Sequence, residues 1–176
     1  MVYKKRGQVW IETVIYTLIA LSLITTTLVF INPKIQEMKD SATLSKNLEM
    51  MQGIDSRIND IARLGSGNRR KIDMKIGRGE LNVDGKEDII QFDIKSDFKF
   101  SEEGVKIKDR RIIIETNEEG NKYLTSFTLN YTGKYNITFN GNDEVKKIPP
   151  SPTFYKLLVV NAGKTGNKTN IDIEIN

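Results

Sequence analysis

The side chain that most needs a chemical explanation is Glu12. It sits near the start of an apolar run, residues 9–31, that follows directly on Lys4-Lys5-Arg6-Gly7-Gln8. A carboxylate at the mouth of a membrane segment is costly without a partner. Left alone it would lie among lipid headgroups or take up a proton. Glu12 stands five residues past Gly7. Two readings fit this placement. One is a charge at an interfacial helix end, behind basic residues that only orient an anchor. The other is one half of an intermolecular charge pair.

The remaining chemistry-bearing patterns are weaker. The chain has no cysteine and no histidine, so disulfides, a thiolate nucleophile, an imidazole base and a Cys/His zinc site are excluded. Ala162-Gly163-Lys164-Thr165 has the ending of a phosphate-binding loop, but Leu158 stands where the first glycine belongs and no helical pattern follows. A hairpin turn explains it better. Gly65-Ser66-Gly67 begins like a dinucleotide fingerprint, but Arg70 replaces the third glycine and a helix precedes it. Asp84, Glu87 and Asp88 make half of a calcium set without its loop spacing. Arg69-Arg70-Lys71 and Lys108-Asp109-Arg110-Arg111 read as solvated basic turns. Three sequons stand at Asn130-Tyr131-Thr132, Asn136-Ile137-Thr138 and Asn167-Lys168-Thr169, which makes Asn130, Asn136 and Asn167 candidate N-glycosylation sites. No spacing singles out a catalytic group, and no cofactor or metal site is expected.

The elements that must position Glu12 come first in the chain. Residues 13–31 are 19 positions without a charge. From Val9 a helix would rise roughly 35 Å at ~1.5 Å per residue, enough to cross a hydrocarbon core of about 30 Å. The many β-branched residues would favour strand in water. In lipid a helix wins, because each backbone group must be satisfied within the segment. The run is longer than a cleavable signal peptide needs, and Val29-Phe30-Ile31-Asn32-Pro33 offers no small-x-small cleavage site. The basic cluster before the span places the N-terminus in the cytoplasm and the rest outside. The formal charge is +4, of which Lys4, Lys5 and Arg6 supply three, leaving +1. That is no footprint for nucleic acid, and none is expected as partner.

Lys5-Arg6-Gly7-Gln8-Val9-Trp10-Ile11-Glu12 resembles the class III signal sequence of type IV prepilins, most closely the archaeal type IV pilin-like form. The resemblance implies that a prepilin peptidase cuts on the cytoplasmic side between Gly7 and Gln8, with Lys5 and Arg6 in the recognised leader. Gln8 then becomes the first mature residue and Glu12 the fifth, where this family carries an acid. The resemblance further implies a pilus assembly platform as partner, and a helical homopolymer packed through the N-terminal helix, which lies in membrane lipid before assembly. A neighbour's new α-amine would neutralise Glu12 and help set axial register. Gln8, where the bacterial pattern has Phe, points to the archaeal form. The segment lacks the glycine-rich pattern of archaellins, so an adhesion-type pilin or other pilin-like subunit fits better.

The expected fold is α+β. Residues 1–7 form the leader, 8–32 the transmembrane and assembly helix, 33–64 an amphipathic helix, and 65–176 an extracellular β-rich head. Pro33 either kinks one long helix or opens a second with Asn32 as cap. Ile35, Met38, Ala42, Leu48, Met51, Ile54, Ile58 and Ile61 form a stripe predicted to pack on an antiparallel sheet or sandwich. Gly65-Ser66-Gly67-Asn68 ends the helix. Alternation predicts strands around Ile90-Phe92-Ile94, Phe98-Phe100, Val105-Ile107, Ile112-Ile114, Phe127-Leu129-Tyr131, Tyr135-Ile137-Phe139 and Ile171-Ile173-Ile175. Asp84-Gly85 and Thr132-Gly133 are predicted hairpin turns, and Ile148-Pro149-Pro150-Ser151-Pro152 a rigid connector to an apolar strand at 155–160. The reading that follows is a non-enzymatic filament subunit. Its alternative is a monomeric, signal-anchored extracellular β-domain acting as a binding or adhesion module.

Overall fold

The computed structural model describes the backbone of residues 4–175 and the side chains of residues 9–175. The processing residues Lys5, Arg6, Gly7 and Gln8 lie outside the described side chains. One long helix, α1 (Lys4–Arg63), precedes ten strands. These are β1 (Arg69–Met74), β2 (Glu80–Asp84), β3 (Ile89–Ser96), β4 (Ile107–Asp109), β5 (Ile112–Glu119), β6 (Lys122–Asn130), β7 (Tyr135–Phe139), β8 (Val145–Ile148), β9 (Tyr155–Thr165) and β10 (Lys168–Ile175). The fold is α+β, as the patterning predicts. Two compact units divide the chain, Met1–Lys39 and Asp40–Asn176.

α1 is unbroken at Pro33. Proline has no N–H to donate, so the carbonyl four residues back, that of Val29, loses its helical partner. Neither a second helix nor a cap at Asn32 forms.

In the second unit the helix buries one stripe: Asp40, Leu44, Asn47, Met51, Ile54, Ile58 and Ile61. The steps alternate four and three, the spacing that keeps one face inward. This corrects the sequence stripe in its first half. Ile35, Met38 and Ala42 are exposed, and Leu44, which that stripe omits, has no exposed surface.

The strands form two sheets. A six-stranded antiparallel sheet has the order β4-β5-β6-β3-β2-β8, and a four-stranded sheet the order β1-β9-β10-β7. The second sheet departs from the antiparallel expectation, because β10 and β7 run parallel, Ile171 against Ile137. Every other residue of the main strands turns inward, as in Ile90, Phe92 and Ile94 of β3 or Leu157 and Val159 of β9. These inner faces and the helix stripe share one hydrophobic core.

The connections explain the remaining differences. Asp84-Gly85 does open the β2–β3 hairpin, with Asp84 Oδ1 accepting from the Lys86 and Glu87 amides at 2.9 and 3.1 Å. Thr132-Gly133 is a turn but not a hairpin, since it carries the chain from β6 in one sheet to β7 in the other. Phe98 and Phe100 are not in a strand; they pack on the core from an irregular segment. Val105 and Ile107 are exposed, at and before a three-residue edge strand. Arg69-Arg70-Lys71 begins edge strand β1 rather than a basic turn.

The stripe is tested by truncation. Leu44→Ala is expected to lower the unfolding free energy of the full chain in detergent by about 2–5 kcal/mol, and Met38→Ala by less than about 0.5 kcal/mol. Urea denaturation followed by circular dichroism reads both, and the opposite order would restore the stripe drawn through Met38.

Candidate functional site

Residues 9–31 present an apolar surface that their own chain does not cover. Within Val9–Arg63 the most apolar 18-residue window has a mean hydropathy of 2.3, and none of it is buried. Trp10 and Phe30 are each 72% exposed. The threonines that lower helix propensity in water are accommodated locally. Thr13, Thr17, Thr25, Thr26 and Thr27 each donate their hydroxyl to the carbonyl four residues earlier, at 2.7–2.9 Å. Each hydroxyl proton is thereby satisfied inside the helix, which suits a medium without water. Glu12 is exposed on this helix, one turn from its first described side chain.

The second unit grips its helical segment through polar contacts as well as the stripe. Asp40 has no exposed side-chain surface. Its Oδ1 accepts from Arg78 Nη1 at 2.5 Å and its Oδ2 from the Asp97 amide at 2.7 Å, while Arg78 Nη2 donates to the Lys95 carbonyl at 2.8 Å. A buried carboxylate is tolerated when paired and hydrogen-bonded in this way. At the other end Asn161 of β9 caps the helix. Its Nδ2 donates to the carbonyls of Ile61 and Leu64 at 3.2 and 2.7 Å, groups that a helix C-terminus leaves without partners.

Between these ends lies a largely buried polar cluster beside the stripe. The Asn59 side-chain Oδ1 accepts from Arg111, from Lys134 Nζ at 2.8 Å and from the Tyr135 hydroxyl at 3.1 Å. Asn59 Nδ2 donates to Asp55 Oδ1 at 2.8 Å, and the Tyr131 hydroxyl donates to the same oxygen at 3.0 Å. Burial of Tyr131 pushes its hydroxyl well above the ordinary value of 10.0, and the Asp55 carboxylate beside it adds to the shift.

The sequence motifs resolve into structural roles. Ala162-Gly163-Lys164-Thr165 lies in β9, not in a phosphate loop or a turn. Asn170 pairs with Gly163 and Ile171 with Asn161, so Ala162 is the extra residue of a β-bulge, and Gly163 takes φ 100°, a conformation glycine tolerates. The turn itself is Gly166-Asn167. Asp88 is buried, with Oδ1 accepting from the Ile137 amide at 2.9 Å and Oδ2 from Lys168 Nζ at 3.4 Å. Its oxygens join the β2–β3 turn to β7. Among the described residues no group of three His, Cys, Asp or Glu side chains is placed to hold a metal ion. Lys108 and Asp109 end β4 and Arg110-Arg111 make the tight turn into β5, where Asp109 accepts from Gln52 at 2.7 Å and Arg111 reaches Asn59.

The three sequons differ sharply. Asn167 is exposed at the β9–β10 turn. Asn136 lies within β7, and the hydroxyl of its Thr138 is buried and donates to Asp172 Oδ1 at 2.6 Å. Asn130 Oδ1 accepts from the Thr132 amide at 2.8 Å, and the Thr132 hydroxyl donates to the Glu87 carbonyl at 2.7 Å. Asp40 was missed by sequence reasoning. It stands four residues before Leu44, which the sequence stripe also omits, so that stripe gave no signal for it.

Compared with protein-family models, with curated proteins and with solved structures, the chain matches none. The class defined by the coordinates is an α+β protein with one N-terminal helix long and apolar enough to cross a membrane. That helix is compatible with membrane anchoring.

Tyr131 makes the fold alkali-sensitive. Its hydroxyl ionises near pH 10 in the unfolded chain and well above that in the folded one. Its contribution is therefore complete below pH 10 and is lost as pH rises beyond it, by up to ~1.4 kcal/mol per pH unit. Urea denaturation at pH 8 and pH 11 should show a steeper loss for the wild type than for Tyr131→Phe. Equal losses would mean that Tyr131 ionises without unfolding.

Proposed function

We propose that this chain is the structural subunit of a cell-surface filament of the archaeal type IV pilus kind. The observation that carries this reading is the uncovered apolar surface of residues 9–31, joined to a basic leader and to an acid five residues past Gly7. Such a surface is stable only against another apolar medium. Membrane lipid supplies it before assembly, and sister helices supply it afterwards. Burying each large side chain contributes roughly 1.5–3 kcal/mol, so a bundle of these helices holds together even where contacts between heads are weak.

In this reading prepilin peptidase cleaves between Gly7 and Gln8, an assembly platform draws the subunit from the membrane, and the C-terminal unit faces outside. Glu12 meets the new amine of Gln8 on a neighbouring copy. The subunit needs no catalytic group and no cofactor.

Mass spectrometry of protein recovered from its host tests the reading directly. The expected first residue is Gln8. Gly7→Val should leave the leader attached and abolish filaments. Glu12→Gln should still be inserted and processed but assemble poorly. A protein that keeps Met1 or residues 2–7 and disperses as single molecules is instead the signal-anchored binding module. If the outer face is glycosylated, glycopeptide analysis should find Asn167 occupied well above Asn136, whose threonine is already bonded. The reverse order would show that glycans are added before β7 folds.

A further inference from the structure

Exposed charges of opposite sign stand at the two edges of one sheet. β1 is the outermost strand of the four-stranded sheet, and among the described residues it pairs only with β9. Arg69 and Arg70 on this edge, Arg63 at the end of α1 and Lys164 on β9 are all exposed. None of the four forms an ion pair among the described residues, whereas Lys71, Lys95, Lys106, Lys122 and Lys147 all do. Three of them are neighbours, and Arg70 follows Arg69 along the same edge with its side chain toward the other face. Arg63 and Lys164 line one cavity of about 400 Å³, and the Asn161 amide in its wall donates to the Asn68 carbonyl at 2.9 Å, which seats Arg69 beside it.

The opposite edge carries the other sign. β7 is covered by the β2–β3 turn through Asp88. Gly85 in that turn approaches so closely that an added Cβ would stand 3.0 Å from the Ile137 carbonyl oxygen and 3.1 Å from the Asp143 Cα. Its amide donates to the Glu144 carbonyl at 3.0 Å. Asp84 and Glu87 are thereby gathered with Asp143 and Glu144, and none of these four forms an ion pair among the described residues. Lys86 in the same turn and Lys146 on β8 offset half of the four negative charges.

Strand register sets the two clusters level. Arg69 pairs with Val160, Val160 with Asp172, and Asp172 with Thr138; Arg70 leads by the same route to Phe139. The loop bearing Asp143 and Glu144 leaves β7 just after that row. Three strand spacings of ~4.8 Å separate the edges by roughly 14 Å, too far for an internal ion pair.

The geometry points to a head-to-tail contact between copies of this chain, in which the Arg63, Arg69, Arg70 and Lys164 edge of one copy receives the Asp84, Glu87, Asp143 and Glu144 edge of the next. This rests on the filament reading and names its head contact. A two-fold contact through either edge would set like charges together. A heterologous contact pairs opposites and propagates without closing.

Charge reversal in the full chain, expressed with its processing machinery, tests it. Arg63→Glu, Arg69→Glu, Arg70→Glu and Lys164→Glu together make both edges acidic, and Asp143→Lys with Glu144→Lys makes both basic. Each variant alone should yield roughly tenfold fewer filaments at low salt, as the loss of two or more exposed pairs implies. The two expressed together should form mixed filaments at near wild-type yield. Arg63→Glu with Lys164→Glu, which leaves β1 untouched and brings the basic edge to zero net charge, serves as a milder variant should the β1 changes shift the urea midpoint. Unchanged yields for correctly folded variants overturn the contact and leave the filament reading standing, as does loss that co-expression does not restore. Wild-type protein that retains its leader and forms no filaments overturns the filament reading itself.

Discussion

A backbone amide can leave water only if its hydrogen bond is made nearby, and α1 is organised by that constraint. Over residues 9–31 the helix satisfies its own backbone, and the threonine hydroxyls add their protons to it. These five hydroxyls need no water, and the backbone carbonyl that loses its donor is that of Val29, opposite Pro33. With the backbone otherwise bonded within the helix, its apolar side chains are free to face lipid or protein equally. A strand of the same β-branched composition would carry unmet backbone groups into any apolar setting.

The same helix changes character at Asp40. Before it every described position is exposed or nearly so, and from Asp40 onward each three- or four-residue step is buried. Placing a carboxylate at the first buried position requires compensation, which Arg78 and the Asp97 amide supply. Hydrophobic side chains alone would let the stripe slide or start elsewhere. A buried charge with two fixed partners is met at one position only, so Asp40 sets where the packed part of the helix begins. Asn161 does the equivalent work at the far end by holding the last carbonyls.

Legibility in the sequence follows the range of the interaction. The apolar helix is read from composition within a window, and the strands β3, β5, β7 and β10 from local alternation. Leu44 escaped because the stripe drawn through Met38 and Ala42 passes over it to Leu48 by one longer step, and only the partners of Asp40 decide between the two faces. β1 escaped because an exposed edge strand of arginines has no alternation to show. The parallel pairing of β7 with β10, and the passage between sheets at Thr132-Gly133, depend on residues far apart in the chain. So does the candidate head contact. Its arginines and carboxylates look like solvated turns until register sets them on opposite edges of one sheet.

Those edges suit a particular division of labour in the proposed filament. Exposed ion pairs contribute at most about 1 kcal/mol each and weaken with salt, so they cannot hold a polymer against shear. Apolar helix packing can, but it is tolerant, since a stripe of Ile, Leu and Val accepts several axial offsets with similar burial. Charges fixed at the same level on a rigid sheet discriminate between offsets, because a shift of one strand spacing turns attraction into a desolvated mismatch. Strength then resides in the helices and register in the heads and in Glu12. Raising the salt would loosen the choice of register before it loosened the bundle.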